Sequence, residues 1–216
     1  MSTLAGFSDW NTQFNELEIP ISISSDTLLS ECYYLISNGG RISLELGIKL
    51  FNHSNLSGIL ALGNLIKKSR YGNYVYFNEN LHVNTTNICI LACRFCAFRK
   101  GPRHSEAYSL NVKDYIKQIM PYSDRIDEIH SVGGLHPEWK IEHYEELYRE
   151  SKKKYPNIMI KSLTAVEIKH IANRSGLSIQ NTLIRLSDAG LDSLPGGGPE
   201  ILVDTVRNRI CRGKES

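Results

Sequence analysis

Three of the five cysteines in this 216-residue chain fall within eight residues. They stand in the text Asn84-Thr-Thr-Asn-Ile-Cys89-Ile-Leu-Ala-Cys93-Arg-Phe-Cys96-Ala-Phe98, with the spacing C-x3-C-x2-C. Thiolates are soft ligands, and three on one short loop can wrap a cubane iron–sulfur cluster and bind three of its irons. The fourth iron then has no protein ligand, and an open coordination position is what turns a structural metal site into a reactive one. Spacing alone leaves other chemistries open. Zinc needs a fourth ligand; His82 and His104 flank the loop, but no second C-x-x-C follows. A redox pair of Cys93 and Cys96 leaves Cys89 unused. A disulfide framework spreads its cysteines along the chain rather than clustering them. Cys32, beside Tyr33 and Tyr34, reads as a core residue, and Cys211 takes no role.

Such a loop needs a rigid frame. Residues 1–78 read as a helical segment. Ser25 is expected to cap a helix over 26–37 that Gly39 and Gly40 end, Ser43 to begin a second, and a third to run over 56–70 until Gly72. From Tyr74 the pattern turns to β type, with strands expected over 74–77 and 81–86. Asn111 then caps a helix to about 122, and 126–132 reads as a strand running into Gly133-Gly134. A helix over 141–155, a strand over 158–163 and a short helix with a Thr164–Glu167 capping box follow. Glu167 is read as a cap rather than a general base. Ser178 caps another helix that Gly190 closes. A short strand over 191–194 leads into Pro195-Gly196-Gly197-Gly198, and Asp204 is expected to cap a last helix. Strands alternating with helices imply parallel strands with right-handed crossovers. The fold class is therefore α/β, with about four strands over 79–216 preceded by helices. In such folds the turns after the strands build the site, and the cysteine loop is one of them.

Composition narrows the partners. A net charge of +2 gives no electrostatic footprint for nucleic acid. No apolar run approaches the ~20 residues of a membrane span, and the first ten residues lack the pattern of a secretory signal. A cytoplasmic setting is expected, where thiols stay reduced.

With Phe95 before its last cysteine, the motif resembles that of the radical S-adenosylmethionine superfamily. The resemblance implies a 4Fe–4S cluster on Cys89, Cys93 and Cys96, with the methionine moiety of S-adenosylmethionine on the open iron. It also implies adenine contacts from Phe95, Ala97 and Phe98. Val132-Gly-Gly-Leu-His-Pro137 is similar to the superfamily's glycine turn, so Gly133 and Gly134 would meet the amino group of S-adenosylmethionine. Leu163-Thr-Ala-Val-Glu-Ile168 and Asp192-Ser-Leu-Pro-Gly-Gly-Gly-Pro-Glu-Ile201 resemble the aminodeoxyfutalosine synthase branch, as do Arg41-Ile-Ser and Tyr76-Phe-Asn.

That branch joins the deoxyadenosyl group to 3-[(1-carboxyvinyl)oxy]benzoate in menaquinone biosynthesis, consuming S-adenosylmethionine as co-substrate. A reductant such as flavodoxin or ferredoxin is implied. No catalytic side chain is singled out. A dianionic aromatic acid calls for cationic or amide donors, and His136, Arg99 and Arg103 are the candidates. Two readings stand beside it: a dehypoxanthine futalosine cyclase-like enzyme, and a non-catalytic iron–sulfur or zinc-binding remnant. The resemblance also implies a partial TIM-type barrel of the radical S-adenosylmethionine kind; members of the branch run on past the position of Ser216, so it implies a C-terminally truncated form lacking the later strands.

Overall fold

The computed structural model describes residues 9–197 and 201–214. They form two compact units that divide between Phe77 and Asn78. Among the described residues, no helix is long and apolar enough to cross a membrane.

The first unit is helical: α1 (Trp10–Glu16), α2 (Ile21–Ser24), α3 (Thr27–Ser37), α4 (Leu44–Phe51) and α5 (Leu56–Tyr71). Phe14, Ile23, Leu29, Cys32, Tyr33, Ile36, Leu62 and Leu65 make its core, so Cys32 is a buried packing residue. Two expectations are corrected here. Asp26, not Ser25, caps α3, accepting from the amides of Leu28 and Leu29. Ser25 is already committed to α2, where its backbone is helical and its Oγ donates to the Ile21 carbonyl at 2.6 Å. The stretch 74–77 forms no strand. Val75 and Phe77 are exposed there, and β propensity without a neighbouring strand yields no ladder.

The second unit carries the parallel sheet. Its elements are β1 (Asn80–His82), α6 (Val112–Ile119) with a 3-10 turn (Met120–Tyr122), β2 (Glu128–Ser131), α7 (Ile141–Lys154), β3 (Met159–Ser162), α8 (Ala165–Ser175), α9 (Ile179–Asp188) and α10 (Asp204–Ile210). The strand order is β1-β2-β3, all parallel, with Leu81 beside Ile129 and Ile129 beside Ile160. Side chains alternate along a strand. This row therefore faces the helices, packing with Tyr115, Ile119, Leu147, Tyr148 and Ile171. The next row, His82, His130 and Lys161, faces the other way. The two imidazoles stack at 4.4 Å and Lys161 pairs with Glu128 at 3.1 Å. Side chains that alternate between a face under the helices and an opposite face are what a segment of a barrel wall shows.

The expected fourth strand, 191–194, is present as a parallel bridge between Lys161 and Ser193. It does not grow into a ladder because the Asp192 carboxylate takes the Ile160 amide at 2.7 Å and Pro195 has no amide to give. Asp204 is the first residue of α10 and not its cap; Val203 holds that position without a side-chain bond, and the Asp204 carboxylate pairs with Arg207.

Candidate metal centre

The residues just before the first cysteine tie down the loop. Val83 continues the β1 pairing through the His130 carbonyl. Asn84 Oδ1 accepts from the Val132 amide at 3.3 Å. Thr86 Oγ1 accepts from the Ile88 amide and donates to the Tyr108 carbonyl. Asn87 clamps the returning strand of the loop, its Oδ1 accepting from the Tyr108 amide and its Nδ2 donating to the Glu106 carbonyl, both at 2.9 Å. Short polar side chains that bond nearby backbone are what an irregular loop needs, since it has no ladder of its own. The cysteine segment is then pinned from three sides. The amide of Cys89 donates to Lys100, that of Ile90 to Leu135, and that of Arg94 to Ile210.

Cys89, Cys93 and Cys96 are all free and half-buried, and all three line one cavity of about 220 Å³. Leu91, Val132, Leu135 and Val166 make its apolar wall; Phe95, Gly133, Thr164, Glu167, Gly197 and Lys214 complete it. Among the described residues no three His, Cys, Asp or Glu side chains are gathered tightly enough to hold a single ion. A polynuclear cluster spreads its protein ligands over separate metal atoms, so three thiols around one cavity fit such a group. Burial pushes the Cys93 thiol up against the pull of the Lys214 ammonium, and Lys214 Nζ lies 5.6 Å from the centre of the Phe95 ring.

The glycine turn sits under the loop. A Cβ on Gly133 would meet Thr85 Oγ1 at 2.9 Å, and one on Gly134 would run into the Ile88 carbonyl and reach Cys89 Cβ at 3.0 Å. Gly134 is thus required where the turn's backbone crosses the cysteine loop's backbone. Gly197 packs in the same way over the Thr164 side chain; Gly198 lies outside the described residues.

The other expected site residues fall elsewhere. Phe98 makes an edge contact with Tyr108 at 6.4 Å, Ala97 and Arg103 are exposed, and Arg99 is half-buried with a buried Nε that has no partner among the described residues. His136 is buried in a stack with Trp139 at 4.3 Å, which stacks in turn on His143 at 3.8 Å. Its Nδ1 accepts from the Glu138 amide and its carbonyl accepts from His170 Nε2. Burial lowers the basicity of both imidazoles, that of His143 to about 4. None of Ala97, Phe98, Arg99, Arg103, Gly134 and His136 lines the cavity. The strand expected over 81–86 is shorter: β1 ends at His82, and Asn84 and Thr86 bond loop backbone through their side chains instead of continuing a ladder, as short polar residues in a turn do.

Glu167 completes the capping box with Thr164 and is 3% exposed. Burial raises its carboxyl to about 7, against the lowering effect of its hydrogen bonds to Thr164 and Gly133. The sign of the consequence follows from proton counting. Between the ordinary value near 4.5 and about 7, the folded chain holds a proton that the unfolded chain has released. This contribution to stability is fully present below pH 4.5 and is lost as pH rises through 7. The unfolding free energy of the wild type, minus that of Glu167→Gln, is expected to fall by about 3 kcal/mol from pH 4.5 to pH 8 in urea titrations. A flat difference would show that the carboxyl is ionised throughout.

Comparison with known proteins gives this geometry a setting. Residues 83–216 match the Radical SAM superfamily. The aminodeoxyfutalosine synthase of Thermus thermophilus is 34% identical over 182 residues, covering 84% of this chain and 49% of its own length. The cyclic dehypoxanthine futalosine synthase of Halalkalibacterium halodurans is 37% identical over 182 residues, covering 82% of this chain and 48% of its own. The chain spans about half the length of the curated relatives it matches. Among solved structures, methylornithine synthase superposes with a TM-score of 0.54 at 14% identity, over 96% of this chain and 51% of that one. The likeness identifies the sheet and its helices as part of a TIM-type barrel.

Proposed function

Because this chain belongs to the radical SAM superfamily, we propose that it carries the cluster site of an enzyme joining the deoxyadenosyl group of S-adenosylmethionine to 3-[(1-carboxyvinyl)oxy]benzoate, with methionine released and the vinyl carboxylate lost, giving 6-amino-6-deoxyfutalosine. The superfamily uses a 4Fe–4S cluster and S-adenosylmethionine. The observation that carries the reading is the lining of one cavity by Cys89, Cys93, Cys96 and Gly133. The choice of branch rests on the two strings over 163–168 and 192–201 and on the synthase relatives.

In this reading Cys89, Cys93 and Cys96 each hold one iron. When bound, the cluster and S-adenosylmethionine supply a 5′-deoxyadenosyl radical. The chain's own residues bind, orient and shield. Phe95 offers a ring face at the cavity edge, and the Gly133–Gly134 turn brings backbone to the guest's amino group. Leu91, Val132, Leu135 and Val166 keep water from the reacting centre. Arg99 and Arg103 are the proposed donors to substrate carboxylates on the part of the substrate that extends beyond the cavity, while His136, buried against Trp139 with its Nδ1 accepting from the Glu138 amide, braces the turn before Pro137. The electron comes from a small donor protein of the flavodoxin or ferredoxin kind.

The test is anaerobic reconstitution of this chain, then dithionite, S-adenosylmethionine and the enol ether. One methionine released per coupled product is the expected result. The 37% identity to a cyclase relative favours a second reading, in which dehypoxanthine futalosine is consumed and free 5′-deoxyadenosine released. A chain that loads iron and sulfide but never yields methionine would leave only a binding remnant.

A further inference from the structure

Glu167 makes a contact that capping does not require. In a capping box the glutamate reaches back to the N-cap amide, and here Oε2 accepts from the Thr164 amide at 2.7 Å. The second oxygen, Oε1, accepts from the Gly133 amide at 2.8 Å, 34 residues away. One carboxylate thus straps the turn after β2 to the turn after β3, at the edge of the cysteine cavity.

The backbone on the β3 side is held in an unusual state. Leu163, fully buried, has φ at 65°, a left-handed conformation that a non-glycine residue keeps only where its surroundings over-determine it. Its amide donates to the Ser131 carbonyl at 3.0 Å, and the next amide is the one that Glu167 takes. On the β2 side, Gly133 has no side chain to orient its peptide. An ammonium group seeks acceptors and is repelled by an amide hydrogen. A carboxyl oxygen that covers the Gly133 N–H leaves the turn's carbonyl oxygens as its polar face.

We infer that Glu167 is a positioning residue for S-adenosylmethionine: by fixing the Gly133 peptide it shapes the glycine turn to receive the amino group. The inference rests on the cluster reading given under the proposed function.

Glu167→Gln is the informative change, because glutamine has one acceptor oxygen and an NH2 group that cannot accept either amide. Wild type and variant are reconstituted, their iron is measured, and S-adenosylmethionine is titrated against the electron paramagnetic resonance spectrum of the reduced cluster. The expected result is unchanged iron with about a tenfold rise in the S-adenosylmethionine concentration needed for half-maximal spectral change. Ser178→Ala removes the cap of α9, where Oγ accepts from the Asn181 amide, and serves as a control of comparable stability loss with no such rise. An unchanged titration in Glu167→Gln, or an equal rise in Ser178→Ala, overturns the positioning role and leaves the cluster reading intact. A wild type that takes up no cluster sinks that reading instead, and the inference with it. If Glu167→Gln does not accumulate folded, hydrogen exchange over residues 131–135 of the wild type decides. A protected Gly133 amide upholds the strap, and exchange at the rate of an open loop overturns it.

Discussion

Reconstituted without oxygen, the wild-type chain is expected to hold about four irons and four sulfides, and Cys89→Ala, Cys93→Ala or Cys96→Ala to lose most of both. The three thiols are the cluster's only protein ligands in this reading, so each deletion removes one of three anchors. S-adenosylmethionine cleavage, read as methionine released after dithionite, should drop by about three orders of magnitude in each variant, since the deoxyadenosyl chemistry belongs to the cofactor. The other two cysteines are the controls. Cys32 is buried in the helical unit, and Cys32→Ala should keep its iron. Cys211 is also buried and lies near enough to Cys93 to raise its thiol. Cys211→Ala should likewise keep its iron and its response to S-adenosylmethionine. Loss of the cluster in that variant would mean a site closed by four thiolates, with no iron left for a guest. Zinc at one per chain in a colourless wild type would refute the assignment outright.

The second large effect is expected at Gly134. A methyl group there collides with the carbonyl of Ile88 and presses on Cys89 Cβ. The first obstacle is backbone rather than the flexible end of a side chain. The Gly134 amide also donates to the Thr86 carbonyl at 2.9 Å, so the turn cannot back away without breaking that bond. Gly134→Ala should destabilise the chain by about 3 kcal/mol through overpacking and, by displacing Cys89, cut iron uptake severalfold. Urea unfolding and iron analysis on the same preparations read both effects. Gly47 provides the contrast: it lies in α4 with nothing within 4 Å of its Cβ position. Gly47→Ala should stabilise by about 0.5–1 kcal/mol, the helix-propensity difference alone. Equal behaviour of the two variants would show that the turn and the loop are not in contact.

Much of this molecule was written in local patterns. The cysteine spacing, the caps at Asn111, Thr164 and Ser178, and the order of strands and helices each depend on residues a few positions apart, where residue type and periodicity act directly. Local text also misplaced some features. Asp26 and Ser25 are both good caps, and only the course of α2 decides between them. The β-type run at 74–77 lacks a partner that no local pattern could reveal. The tertiary structure alone determined how the site is held. Gly134 must be glycine because the backbone of Ile88 crosses it. The Ile90 amide, next to Cys89, is held by the Leu135 carbonyl. The second oxygen of Glu167 finds an amide 34 residues away. Those contacts join residues that only strand pairing and the packing of α7 and α8 bring together, and a hydrogen bond or a steric limit acts over a few ångströms of space, whatever the distance along the chain.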